Sequence, residues 1–416
     1  MKICLVTNLY PPTVQGGADI FVGQLARALA EQHRVTVITT EPGFHLLPRR
    51  EISPEGVTVY RIAPLNIAHL TRLPHHLLPQ ALFRAIDLYQ PQVAANVASI
   101  LDRERPDVVH IHNWEGLSLA AIVTAGRRRA PLAITLHGYS LFCAYSTIRH
   151  PDGHSCRPDL PCHLMAGVNH QLAKAIGLVI SPSHYVMDEH LRRGFFRHAI
   201  QRVIPNGLSL DAPLPDPPHK GEGNPGSKTT FDVLFMGRVQ SHKGVELLIR
   251  GFRRMSDPGL RLHIAGIGPS LDASRSLAAG DDRIHFYGFV SGEMHRSLLE
   301  NSDCMVVPSL WPENAPVTIQ EAFAAGPVVI ASRIGGIPEM VQDGVNGLLV
   351  EAGDESGIAA AIERLRQSPE LLARLRAAGK ETARLYDMRF HTDRVMDAYR
   401  ELLVASRAGE LDQRAA

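Results

Sequence analysis

The 416-residue sequence predicts an α/β protein made of two consecutive doubly wound domains with parallel sheets. Three observations carry this prediction. Apolar runs of strand length alternate with stretches of helical spacing from the first residues onward, the βαβ pattern of a parallel sheet. The alternation breaks once, at DAPLPDPPHKGEGNPGSKTT (211–230), whose Pro, Gly and charge mark a surface linker. It then restarts and runs for a comparable length.

The elements follow in order. KICLVTN (2–8) is a buried strand, and LYPPTVQGG is the loop after it. ADIFVGQLARALAEQ (18–32) spaces Ile20, Leu25, Ala28 and Leu29 as a helix does. RVTVITT (34–40) and VTVYRI (57–62) are strands. A helical region at 80–104 ends before Pro106, and DVVHIHN (107–113) is the next strand. A helix at 117–127, the strand LAITLHG (132–138), a helix near 167–176, the strand LVISP (178–182), a helix from Ser183 and the strand RVIPNG (202–207) complete the first series. The second series reads as strands at 231–237, 260–266, 283–289, 303–309, 328–332 and 346–351. Helices at 244–255, 270–279, 292–300 and 316–325 separate them, and helices at 355–366, 369–384 and 388–405 close the chain.

Composition excludes several classes. A 45% hydrophobic, 20% charged chain with net charge +1 is an ordinary globular protein and not a dedicated nucleic-acid binder. The first 205 residues carry +6 and the rest −5. That asymmetry points an anionic acceptor or a membrane surface toward the first half. No signal segment and no apolar run of about 18 residues is present, so no transmembrane helix is expected. Five cysteines, an odd number without a disulfide framework, suit a reducing cytoplasm.

Ligands of such sheets bind beyond the carboxyl ends of the strands, so the chemistry is expected in the loops there. Gly16-Gly17 precedes a helix and lets backbone N–H groups approach an anion, although G-x-G-x-x-G is absent. GRVQSHKG (237–244) places Arg238 and Lys243 in one strand-to-helix loop, a guanidinium fork and a point charge suited to phosphate. WPENAPVTIQEAFAAG (311–326) holds Glu313 in a loop and Glu321 on a helix, separated by seven residues. Asn314 can cap that helix, Pro316 suits its first turn, and the backbone N–H groups of 315–318 can bind an anion. Carboxylates accept from hydroxyls, not from phosphate. Two of them bracketing an anion site match a ligand with hydroxyls at both ends and charge in the middle, the layout of a nucleotide sugar.

These stretches, with NLYPPTVQGGADIFVGQLARAL, TLHGYS, VIPNG, HIAGIGP, FYGFV and GGIPEMVQDGVNGLLV, resemble the family 4 glycosyltransferases over nearly the whole chain. The resemblance implies the GT-B fold: two Rossmann-like doubly wound domains facing across a cleft. The expected boundaries are an acceptor-side domain at 1–205, a linker at 206–230, a donor-binding domain at 231–387 and a final helix, 388–405, crossing back to the first domain. It implies a retaining hexosyltransferase that uses a nucleotide sugar and needs no cofactor. Arg238 and Lys243 would hold the pyrophosphate and Glu321 the ribose hydroxyls. Glu313 and His137 would contact the hexose, and Gly16 and Gly17 would approach the donor phosphate and sugar. Gly288 and Val290 would line the base, and Ala315, Pro316 and Val317 would open the anion-binding helix. Catalysis would fall to Glu313, His137, Arg238 and Lys243, by front-face attack in which the donor phosphate helps take the acceptor proton.

One segment departs from the family pattern. In HGYSLFCAYSTIRHPDGHSCRPDLPCHL (137–164), Gly138 stands where some members carry aspartate. Cys143, Cys156 and Cys162 with His163, and with His150 and His154 nearby, are candidates for structural zinc, though no Cys-x2-Cys pair is present. The mixed apolar and basic stretch 67–86 is a candidate membrane or acceptor surface, interrupted by Pro74 and Pro79. The expected acceptor is a glycan or lipid-linked intermediate of cell-envelope polysaccharide or glycolipid synthesis, with the enzyme cytoplasmic or peripheral at the inner face of the membrane. A nucleotide-sugar epimerase and a non-catalytic nucleotide- or glycan-binding protein remain as alternatives.

Overall fold

A computed structural model describes residues 1–14, 16–72, 77–143, 146–148, 160–209 and 230–409. The chain forms two compact units. The first takes Met1–Ala144, Pro158–Gly207 and Met388–Ala416, the second Tyr145–Arg157 and Leu208–Asp387. Most of the expected linker, and the last residues of the chain, lie outside the described residues.

In the first unit the elements are β1 (Lys2–Val6), α1 (Gly17–Ala30), β2 (Arg34–Thr40), β3 (Arg49–Ile52), β4 (Thr58–Ile62), α2 (Leu77–Asp87), α3 (Pro91–Glu104), β5 (Val108–Ile111), α4 (Ala120–Arg127), β6 (Leu132–Thr135), α5 (Leu160–Ala173), β7 (Leu178–Ser181), α6 (His184–Arg192) and β8 (Ile200–Val203). The strands form one sheet in the order β3-β4-β2-β1-β5-β6-β7-β8. Every neighbouring pair is parallel except β3–β4. That hairpin departs from the sequence reading: RREI, with its charged and exposed side chains, carries no strand signal and pairs only at the sheet edge.

Other differences have local causes. The single helical region at 80–104 is two helices, because Pro91 opens α3 at its first position. Pro79 does not interrupt the neighbouring helix; it sits in the first turn of α2, where no intrahelical N–H is needed. Ile20 lies on the open face of α1, about half exposed, while Phe21, Val22, Leu25, Ala26 and Leu29 are buried.

The second unit contains β9 (Phe231–Met236), α7 (Val245–Arg253), β10 (Leu260–Ala265), α8 (Leu271–Ala278), β11 (Ile284–Gly288), α9 (Gly292–Asn301), β12 (Cys304–Val307), α10 (Val317–Ala325), β13 (Val328–Ser332), α11 (Ile337–Met340), β14 (Gly347–Val350), α12 (Glu355–Gln367) and α13 (Pro369–Ala383). Its six strands are all parallel, in the order β11-β10-β9-β12-β13-β14. Alternate residues point to opposite faces, and both faces are covered. Val233, Phe235, Cys304 and Val306 enter one core. Leu234, Met236, Met305 and Val307 enter the other. Burial on both faces is why these strands read as unbroken apolar runs.

The last helix, α14 (Met388–Arg407), belongs to the first unit. Its Val395, Met396, Tyr399 and Leu402 are buried in one core with Phe21, Leu25 and Leu29 of α1. The Tyr399 hydroxyl and Nδ1 of His110 share a hydrogen bond of 2.6 Å.

Candidate functional site

The strand order of the second unit reverses between β9 and β12, the position where open α/β sheets hold ligands at their carboxyl ends. The loop after β9 carries Arg238 and Lys243. The loop after β12 carries Glu313. Gly244 locks the first against the second. Its φ is +73°, and a Cβ there would lie 1.9 Å from the Pro308 carbonyl oxygen, so no other residue fits. The backbone N–H of Leu310 donates to the His242 carbonyl at 2.8 Å, tying the loops further.

Glu313 is about 5% exposed, and its Oε1 collects three donors. Lys243 Nζ, Ser309 Oγ and Trp311 Nε1 each lie 2.7 Å away. The Lys243 ammonium also stands 4.9 Å from the Trp311 ring centroid. His242 meets Trp311 edge-on, and burial beside the Lys243 charge pushes its pKa down to about 4. Among the described residues Oε2 of Glu313 has no hydrogen-bond partner, so one carboxylate oxygen is saturated while the other can accept from a ligand hydroxyl. Gly335 supports the backbone at this point. With φ +62°, it lies so close that a Cβ would be 2.4 Å from the Glu313 carbonyl oxygen, and the Gly336 N–H donates to that oxygen at 2.8 Å.

The helix after Glu313 begins at Val317 with Pro316 as its N-cap and no side-chain cap. The expected Asn314 cap is thereby corrected: Asn314 is buried two residues before the N-cap position. The expected row of N–H groups at 315–318 also loses a member, because Pro316 has none. Ala315, Val317 and Thr318 retain theirs, with no partner among the described residues, which leaves an open, positively polarised helix end. Glu321 sits in the second turn of α10, with His295 Nε2 of α9 at 3.6 Å. The Glu321 carboxylate raises the His295 pKa.

The remaining candidates separate by unit. Arg238 is exposed and makes no hydrogen bond or ion pair among the described residues. Lys243 differs from it, since its ammonium is paired with Glu313 at 2.7 Å while its side chain stays 27% exposed. Gly288 closes β11, and Val290 packs on the core that holds Ile319 and Phe323 of α10. Gly16, Gly17 and His137 lie in the first unit. Gly16 is the N-cap of α1, and its N–H donates to the Asp19 carboxylate at 3.1 Å. His137 follows β6 and contacts Phe21 of α1 edge-on. It stacks on His112, with Nε2 of His137 3.0 Å from Nδ1 of His112. Burial and neighbouring His391 hold the His137 pKa at about 4, so the imidazole is neutral near pH 7.

Sequence reasoning missed four partners. Ser309 and Trp311 adjoin the two-glutamate stretch and were within reach of a search for donors to Glu313. His112 ends a strand, as His137 does. No sequence signal joins His295 to Glu321, since helix packing alone brings them together. Among the zinc candidates, Cys143 and Cys162 are buried and His163 is exposed, while Cys156, His150 and His154 lie outside the described residues. Among the described residues no three His, Cys, Asp or Glu side chains gather to hold a metal, and no helix is long and apolar enough to cross a membrane.

Comparison with known proteins agrees with this architecture. Residues 16–207 match the Glycosyl transferase 4-like domain, and residues 222–382 match Glycosyl transferases group 1. A D-inositol 3-phosphate glycosyltransferase of Geodermatophilus obscurus is 30% identical over 414 residues, covering 92% of this chain and 84% of the relative. A sucrose-phosphate synthase from Thermosynechococcus elongatus superposes with a TM-score of 0.75 at 22% identity, covering 97% of this chain and 99% of that one. Anabaena Alr3699/HepE, solved in complex with UDP-glucose, gives 0.67 at 19% identity, covering 95% and 98%. Two parallel-sheet α/β units of the GT-B type, matched along both units and over most of the length of a 30%-identical relative, place the chain among the glycosyltransferases of the family 4 type.

Proposed function

We propose that this protein transfers a hexose from a nucleoside diphosphate sugar to a hydroxyl acceptor, with retention at the anomeric carbon. The observation that carries the reading is the pairing of Lys243 with Glu313 at the strand-order reversal, beside the open N-terminus of α10. Solved complexes of HepE with UDP and UDP-glucose support a donor of this class.

Departure of the nucleoside diphosphate builds negative charge on the pyrophosphate and positive charge on the sugar. Arg238, the Lys243 ammonium and the α10 N–H groups meet the first with fixed dipoles and charges, which need no reorganisation during the reaction. Fixed protein cations suffice for this step, so the reading requires no divalent metal. The open Oε2 of Glu313 orients a hexose hydroxyl. Glu321 takes the ribose hydroxyls. The donor phosphate removes the acceptor proton on the face from which the leaving group departs. An acceptor on a cell-envelope glycan or glycolipid, reached at the inner face of the membrane, fits the basic first half.

The test is thermal stabilisation by UDP, GDP and ADP, followed by release of nucleoside diphosphate from the matching nucleotide sugar. Arg238→Ala and Glu313→Gln should each abolish release and transfer, and the product should retain the donor's anomeric configuration. Near-normal turnover in both variants, an inverted product, or rapid epimer formation from donor alone would each overturn the proposal.

A further inference from the structure

A groove of about 620 Å³ runs along α1 in the first unit, within the size range of small-molecule sites. One wall is the β1–α1 loop, the other the β3–β4 hairpin. From Ile20 to Arg27 it follows α1 for about 10 Å, at about 1.5 Å per residue. The loop that forms its wall continues into Gly16-Gly17. None of the residues assigned above to the donor lines it.

Its chemistry is mixed in a particular way. Two ion pairs face it, Arg27 to Glu55 at 2.9 Å and Arg61 to Glu51 at 2.7 Å. Buried Arg61 also donates to the Pro11 carbonyl at 2.6 Å, which fixes that pair to the wall. The charges cancel, so the groove attracts neither an anion nor a cation strongly, yet it offers planar groups able to grip adjacent hydroxyls in pairs. Between them lie apolar surfaces that the fold leaves uncovered: Ile20 is 48% exposed and Val14 is 38% exposed. Tyr10 is 7% exposed and lines the groove, and its hydroxyl has no hydrogen-bond partner among the described residues. A nearly buried phenol without a partner, opening on apolar faces and neutralised ion pairs, suits a neutral polyhydroxylated ligand. Such a ligand presents hydroxyls at its rim and C–H groups on its faces.

We infer that this groove holds the neutral oligosaccharide portion of the acceptor, leading away from the residue that receives the transferred sugar. The inference rests on the glycosyltransferase reading and specifies its acceptor as a neutral glycan chain. The Tyr10 hydroxyl, the Glu55–Arg27 pair and the open face of Ile20 are its specificity-determining groups.

The experiment measures binding of maltotetraose, cellotetraose and mannotetraose to the full-length protein by saturation-transfer NMR and calorimetry. Inorganic phosphate and the nucleoside diphosphates are titrated in parallel. Saturable binding of at least one tetrasaccharide is expected. Tyr10→Phe should weaken it about fivefold, the loss of one neutral hydrogen bond. Ile20→Asp, on an exposed face, should abolish it while circular dichroism and nucleoside diphosphate affinity stay unchanged. Absence of tetrasaccharide binding in a protein that still binds nucleoside diphosphate overturns the acceptor assignment alone. Binding insensitive to both substitutions, or displaced by phosphate, overturns it equally. Failure of every nucleoside diphosphate to bind, with tetrasaccharide binding intact, counts against the transferase reading and leaves a glycan-binding groove.

Discussion

Replacing Glu313 separates its two duties. The carboxylate is about 5% exposed, and its Oε1 accepts from Lys243, Ser309 and Trp311 at 2.7 Å each. In Glu313→Gln the amide oxygen can still accept from Ser309, Trp311 and Lys243, and only the charge assistance to the Lys243 bond is lost. The Lys243 side chain is 27% exposed, so its ammonium can turn to water. The expected cost is about 1–2 kcal/mol. In Glu313→Ala, buried Ser309 and the Trp311 N–H lose their acceptor as well, at about 1–3 kcal/mol each when no water replaces it. Allowing partial rescue by water, the total is about 3–5 kcal/mol, the range for breaking a buried pair by removing one partner. Both variants should lose transfer, but only Glu313→Ala should shift the urea midpoint of the second unit strongly. Lys243→Met combined with Glu313→Gln should cost less than the sum of the two singles, by about 1 kcal/mol, because the pair is one interaction. Equal stability of the Gln and Ala variants, or a strictly additive double variant, would refute the three-donor account.

Further outcomes follow from the same geometry. Gly244→Ala, with φ +73° and the Pro308 carbonyl in the way, should destabilise by more than about 1 kcal/mol and weaken nucleotide binding, as read by denaturation and thermal shift. The His295 pKa is raised by Glu321, so their mutual stabilisation is complete below the unfolded value and disappears as pH rises through the folded one. The NMR titration midpoint of His295 should therefore fall in Glu321→Gln; an unchanged midpoint would deny the contact. Burial lowers His110 to about 3 and both His137 and His391 to about 4, so the unfolded chain binds more protons than the native state between pH 6.5 and those values. Stability of the first unit should fall as pH drops through that window, by up to about 1.4 kcal/mol per pH unit for each histidine. His391→Gln should flatten the dependence in urea titrations taken at successive pH values.

Much of the site was legible because strand-end loops in an α/β sheet declare themselves. Prolines at 312 and 316 put Glu313 outside the helix, and the 3.6-residue period put Glu321 on it. The Lys243–Glu313 contact was not legible. The two residues are 70 apart in sequence, and they meet because β9 and β12 are neighbours and Gly244 lets their loops touch. Edge strand β3 was hidden because edge pairing needs no apolar pattern.

The sequence by itself determined the class of fold, the order of nearly all elements and the loops that hold the candidate site. Those depend on local periodicity, turn residues and motifs only a few residues long. The tertiary structure alone decided that Lys243 answers to Glu313, that His295 stands beside Glu321, and that the final helix shares a core with α1. Those contacts join residues far apart in the chain. They depend on strand order and helix packing, which no local pattern encodes.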